Sequence, residues 1–330
     1  MGSPLAVGVV GVGSLGFHHA RILRAMPEVR LAGIWDVRAD RLSEVAGTLE
    51  THAAGSLEAL LSQVAACVVA VPTEAHEAVA IEAISRGTHV LIEKPIAPSL
   101  EAADRILHAA ERNGVLVQIG HVERFNGALR ACEPYLEEPL FVESHRLAPF
   151  GPRGTDVAVV LDLMIHDLDL VLSLMRHPVI SVAAVGVPVL TPSPDIANAR
   201  LEFEGGGVAN LTASRVSLER MRKIRFFQKS GYMSLDLAAG TGEYLRLREG
   251  VTLAPEAPMT PSGLQEIVER IPFRGDGREP LQAELESFVG AVRGEGPVAV
   301  SGRAGRAALA VALEIVERIE ERHVAHRDPS

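Results

Sequence analysis

Over the first third of the chain, hydrophobic residues come in short, nearly unbroken runs. They lie at residues 5–10 (LAVGVV), 30–35 (RLAGIW), 65–71 (AACVVAV), 89–92 (HVLI) and 115–119 (VLVQI). Each is too short for a helix and too uniformly apolar for a strand with one wet face. Between them lie helical stretches: from the glycine turn after Val10 to about Met26, from about Glu74 to Gly87, and from Ser99 to about Gly114. Ser99 suits an N-cap, and Gly87 suits the left-handed position that ends a helix. Buried strands alternating with helices predict a parallel sheet covered on both faces.

Beyond Gly120 the pattern changes. Helices over about 125–133 and 157–175, the second very apolar, precede strand-like runs at 179–189, 196–204, 207–216, 222–229, 232–238 and 243–248. This predicts an α+β domain with a large, mostly antiparallel open sheet. Residues 250–280, rich in Pro and Gly, read as loops, and helices over about 281–293 and 303–322 close the chain. The final HRDPS is expected to fray. The expected division is 1–120 and 121–330, with the terminal helices free to pack back on the first domain.

Composition narrows the function classes. A length of 330 residues gives room for two domains at roughly 150 residues each. Lys and Arg number 32 against 42 Asp and Glu, a net charge of −10, so the chain lacks the overall basic field of a nucleic-acid binder. Two cysteines, Cys67 and Cys132, exclude a disulfide scaffold and fit a reducing compartment. The opening MGSPLAVGVVGVGSLGF has no basic segment before its apolar stretch, and glycines interrupt it. No apolar run reaches the ~18 residues that span a bilayer. A cytoplasmic protein with no nucleic-acid or membrane partner is expected.

Gly11, Gly13 and Gly16 form G-x-G-x-x-G, with Ser14 and Leu15 inside it, between a strand and a helix. Glycines at this turn let the backbone approach a pyrophosphate, and the helix N-terminus offers unpaired N–H groups. Asp36 ends the second strand, where a carboxylate accepts bonds from an adenosine ribose diol and repels a 2′-phosphate. NAD is therefore the expected cofactor. Arg38 and Arg41 leave NADP open, because an arginine there can receive that phosphate. Val71, Pro72 and Thr73 follow a strand and are expected to line the cofactor, with His76 within reach. His18 and His19 read as helix-packing residues and Cys67 as inert.

These segments, with Glu93-Lys94-Pro95 after the 89–92 strand, resemble the Gfo/Idh/MocA oxidoreductase family. Residues 162–169 resemble its second signature, D-x-G-x-H-x-x-D, with Met164 in place of the glycine. The family resemblance implies an α/β fold: an N-terminal NAD-binding Rossmann domain and a C-terminal domain with a large open sheet for substrate binding and oligomerisation. A narrower resemblance rests on GHVERFNGAL (120–129), SHRLAPFGPRGTDV (144–157), LDLMIHDLDLVLSL (161–174), DIANARLEF (195–203) and ANLTASRVS (209–217). It is to the branch that oxidises the 3-hydroxyl of UDP-N-acetylglucosamine, feeding an aminotransferase and a 3-amino sugar for lipid A. Another sugar or an inositol as substrate, or a non-catalytic dinucleotide sensor, are the alternative readings.

The ionisable residues suit a dehydrogenase. Lys94 lies just past the carboxyl end of a parallel strand, where ligands of open α/β sheets bind. An ammonium there stabilises an alkoxide. On the apolar helix Asp162, His166 and Asp169 share a stripe, while Asp167 points away. His166 is expected to take the hydroxyl proton and Asp162 to orient it. Lys94 as the base stays open. Three acidic and imidazole groups on one stripe also suggest metal ligands, but hydride transfer needs no metal and none is expected. Glu93 and Pro95 are placed at the cofactor.

Glu123, Arg124, Phe125 and Asn126 begin the second domain, where substrate contacts are expected. Arg146 and Arg153, with Arg124, Arg215 and the basic run 220–225, are candidate guanidinium forks for a diphosphate. An open sheet face is expected to pack on another subunit, giving a homo-dimer or homo-tetramer.

Overall fold

A computed structural model describes residues 3–151, 157–251 and 265–327. The chain divides into two compact units, Met1–Val122 with Glu279–Ala310, and Glu123–Arg278 with Val311–Ser330.

In the first unit β1 (Leu5–Val10), β2 (Val29–Trp35), β3 (Ala66–Val69), β4 (His89–Glu93) and β5 (Val117–Gly120) form one parallel sheet in the order β2-β1-β3-β4-β5. Helices α1 (Ser14–Ala25), α2 (Ala39–Leu49), α3 (Leu57–Leu61), α4 (Thr73–Ser85) and α5 (Leu100–Asn113) connect the strands. Ser99 caps α5 by accepting from the Ala102 amide, and Gly114 ends it with a φ of +63°. The chain runs out from β1 to β2 and returns to β3 on β1's other side. The strand order therefore reverses at the carboxyl ends of β1 and β3, the usual ligand position in such sheets.

The second unit holds α6 (Gly127–Cys132), β6 (Phe141–Leu147), a π-helical turn at Val160–Met164, and α7 (Ile165–Met175). Strands β7 (Val179–Val187), β8 (Ile196–Phe203), β9 (Val208–Ser214), β10 (Met221–Gln228), β11 (Gly231–Asp236), β12 (Thr241–Leu247) and β13 (Val268–Arg274) follow. The eight strands form one sheet in the order β13-β12-β11-β10-β6-β9-β8-β7, antiparallel at every pairing but β6–β9. Two strands depart from the sequence expectation. β6 was not expected, because its buried side chains are Val142, Ser144 and Arg146 and show no apolar alternation. β13 lies in the stretch read as loop. It is an edge strand, and its Pro272 needs no amide on the open side.

Helices α8 (Pro280–Val292) and α9 (Gly302–Arg327) close the described chain. α8 belongs to the first unit and buries Leu285, Phe288 and Val289 against a core that includes Val7, Val9 and Leu91. No helix among the described residues is long and apolar enough to cross a membrane. No group of three or more His, Cys, Asp or Glu among them is arranged to hold a metal ion.

Candidate active site

The three glycines after β1 have different jobs. Gly11 has a φ of +84°, and a Cβ on it would lie 2.6 Å from the Ala70 carbonyl oxygen. A Cβ on Gly16 would lie 1.8 Å from the Gly11 carbonyl oxygen, so this glycine lets α1 pack on the turn. A Cβ on Gly13 would meet nothing within 4 Å, so this residue leaves bare backbone facing open space. α1 starts there with no side-chain cap and no acidic residue in its first turn. Uncapped N–H groups beside that opening fit a dinucleotide's diphosphate. Ser14 and Leu15 are exposed at the helix start.

Asp36 is held at the rim by two backbone amides: Oδ2 accepts from Val12 N at 2.8 Å and Oδ1 from Arg38 N at 2.9 Å. Arg41 donates from Nε to the Val12 carbonyl (2.9 Å), pairs with Glu44 (2.8 Å) and lies over the Phe17 ring. A fixed carboxylate and a committed arginine both favour a ribose diol over a phosphate.

Val71, Pro72 and Thr73 lead from β3 into α4, and His76 is buried in that helix's first turn. Its Nδ1 lies 2.9 Å from the Pro95 carbonyl and its Nε2 3.0 Å from that of Val71. The imidazole thus sits between the turn after β3 and the turn after β4, and as a neutral ring it donates to one of the two carbonyls. Burial pulls His76 below the ordinary histidine range despite those carbonyls and the nearby Glu93. Lys94 and Pro95 are half-buried just past β4, joined by a cis peptide bond. Glu93 is buried, and its Oε1 lies 2.6 Å from Nε2 of the fully buried His19. Sequence reading assigned His19 to packing. Its one available signal was its place three residues after Gly16, on the buried face of α1.

In the second unit Asp162 lies in the π-helical turn and His166 in the first turn of α7, both half-buried. Asp169, placed on the same stripe by its spacing, is engaged by an arginine. Asp169 is buried and clamped by Arg124, at 2.5 and 2.9 Å.

Two of the expected forks are likewise held by acids. Arg146 is only 4% exposed; it donates twice to Asp167 (3.0 and 2.7 Å) and once to Glu123 (2.9 Å). Burial disfavours its charge, but the two acids outweigh this and raise its pKa well above the usual arginine value. Arg215 is likewise buried against Asp195 at 2.9 Å. Glu123 also accepts from Asn126, which donates to the Leu237 carbonyl and caps α6 through the Ala128 amide. Glu123, Asn126 and Arg146 are thus buried and paired with groups of this unit, and Phe125 is buried as well. Arg153 lies outside the described residues.

Residues 5–121 match the NAD-binding Rossmann domain of the Gfo/Idh/MocA oxidoreductases, and residues 118–233 match the C-terminal domain of the same family. The chain belongs to the Gfo/Idh/MocA family. It is thus an NAD-binding oxidoreductase, as the glycine turn and Asp36 suggest. The UDP-N-acetylglucosamine 3-dehydrogenase of Acidithiobacillus ferrooxidans is 38% identical over 321 residues, covering 96% of this chain and 97% of that protein. A solved structure of that enzyme has a TM-score of 0.87 at 37% identity, covering 96% and 98% of the two chains. The myo-inositol 2-dehydrogenase of Thermotoga maritima is 25% identical over 337 residues, covering 96% of this chain and 97% of that one. The scyllo-inositol dehydrogenase of Lactobacillus casei, solved with NAD(H) and scyllo-inositol, shares the fold with a TM-score of 0.78 at 18% identity, covering 97% and 98%.

Proposed function

We propose that this protein oxidises the 3-hydroxyl of UDP-N-acetylglucosamine to the 3-keto nucleotide sugar. The supporting observation is the match, at 38% identity over 96% of the chain, to an enzyme of that name. Bound NAD supplies the hydride acceptor for the hydrogen that leaves C3. His166 takes the hydroxyl proton, Asp162 holds the imidazole in the tautomer that can accept it, and Lys94 stabilises negative charge on the oxygen. Lys94 as the proton acceptor is the competing assignment. The 3-keto product suits an aminotransferase that installs a 3-amino group for lipid A. A cytoplasmic homo-dimer or homo-tetramer completes the proposal.

The test is NADH formation from NAD with UDP-N-acetylglucosamine, myo-inositol or glucose, with an aminotransferase coupled where the equilibrium favours the alcohol. UDP-N-acetylglucosamine should give the highest kcat/KM. A preference for inositol would overturn the substrate, and a change in Trp35 fluorescence with NAD but no turnover would make the protein a sensor. Lys94→Ala and His166→Ala should each slow single-turnover hydride transfer; near-normal rates in both would end the assignment of roles.

A further inference from the structure

His19 and Glu93 are 74 residues apart in sequence and meet in the interior of the first unit. His19 lies on α1, the helix whose start forms the dinucleotide turn, and Glu93 is the last residue of β4. The Nε2–Oε1 distance is 2.6 Å with the imidazole fully buried. The other carboxylate oxygen of Glu93 accepts from the Lys94 backbone amide at 3.3 Å. Gly120 lies opposite Glu93 on β5, and a Cβ there would come 3.0 Å from that oxygen. The glycine therefore leaves room for the carboxylate.

We propose that His19 and Glu93 form a buried positioning pair, which fixes the backbone at Lys94 and keeps a negative charge beside its ammonium. Only the catalytic consequence rests on the role proposed for Lys94; the pair itself does not.

A carboxylate only accepts, so His19 donates from Nε2. Its Nδ1 has no hydrogen-bond partner among the described residues. That suits a bare lone pair in an apolar interior and fixes the tautomer. Burial alone would raise the Glu93 carboxyl. The His19 hydrogen bond, with the Lys94 ammonium and amide, reverses that and holds it below the ordinary glutamate range. Coulomb attraction is mutual, so an ionised Glu93 favours the charged form of Lys94 as much as Lys94 favours the carboxylate. The other titratable groups here are His76, which senses the Glu93 charge, and His121, which follows Gly120.

The chain offers a direct probe, because Lys94, Lys223 and Lys229 are its only lysines. Reductive methylation of the full-length protein with 13C-formaldehyde gives few lysine NMR signals, and Lys94→Arg identifies the one from Lys94. No substrate is needed, so the result is independent of the substrate proposal. In Glu93→Gln the midpoint of the Lys94 signal should move down by roughly one pH unit. His19→Leu should move it the same way, because a buried carboxylate without its donor takes up a proton. His19→Gln, which still donates, should titrate like the unchanged protein. An unmoved midpoint in Glu93→Gln, or His19→Gln behaving like Glu93→Gln, would overturn the proposal. If His19→Leu does not fold, that pair still decides it.

Discussion

Replacing Arg146 with methionine should destabilise the second unit far more than it weakens substrate binding. The substitution removes three hydrogen bonds and leaves Asp167 and Glu123 without their cation, at 2% and 5% exposure. Removing one partner of a buried ion pair costs about 3–5 kcal/mol. Two stranded acids do not double this, because Arg222, whose Nη1 is 3.7 Å from Glu123, can move closer. At roughly 2–4 °C per kcal/mol for a domain of this size, the melting temperature should fall by about 6–20 °C. The assay is a circular-dichroism melt without ligand, paired with KM for the nucleotide sugar. A buried pair is little screened, so the loss should persist in high salt. Adding Asp167→Asn to the Arg146 variant should cost much less than it does alone, because the acid has already lost its cation. A diphosphate fork would behave in the opposite way. A melt within about 2 °C of the unchanged protein, with a KM raised tenfold or more, would refute the structural role.

Two further expectations concern the first unit. Gly13→Ala should cost little stability yet weaken NAD binding, because its methyl enters the open space beside the uncapped end of α1. Gly16→Ala should damage both, because its methyl would lie 1.8 Å from the Gly11 carbonyl oxygen; Trp35 fluorescence and thermal melts separate the two effects. His89 should make stability fall in acid: its Nδ1 accepts from the Leu116 amide at 2.9 Å, and burial lowers its pKa. A depressed histidine contributes stability that is complete above its unfolded value of about 6.5 and is lost as pH falls through the folded value. His76, also depressed by burial, adds to the same trend. Melting temperature should therefore drop between pH 7 and 5, and less so in His89→Asn, which keeps an acceptor without a titrating ring. An equal drop in both proteins would remove His89 from the account.

Short-range features were the legible ones. β1, its glycine turn, α1, β2 and Asp36 lie within one continuous stretch, and each carries its own signal in spacing and residue type. Long-range compensation was not legible. β6 was missed because Arg146 occupies an inward position, and nothing near it in sequence shows that Asp167 and Glu123 neutralise it. His19 was assigned to packing because its acid lies on β4. Pro272 disguised β13, since only the sheet order reveals that its strand is an edge.

The same long-range pairing reduces the candidates for proton transfer in the second unit. Asp167 and Asp169 are held by Arg146 and Arg124 and sealed from water, so each already has a charge to neutralise. Asp162 and His166 keep some exposure. Arg124, Arg146 and Arg215 are committed to Asp169, Asp167 and Asp195, so they offer a diphosphate no open counter-charge. Along β10, Arg222, Lys223 and Arg225 remain exposed; Arg225 pairs with Glu143, and Arg222 lies 3.7 Å from Glu123.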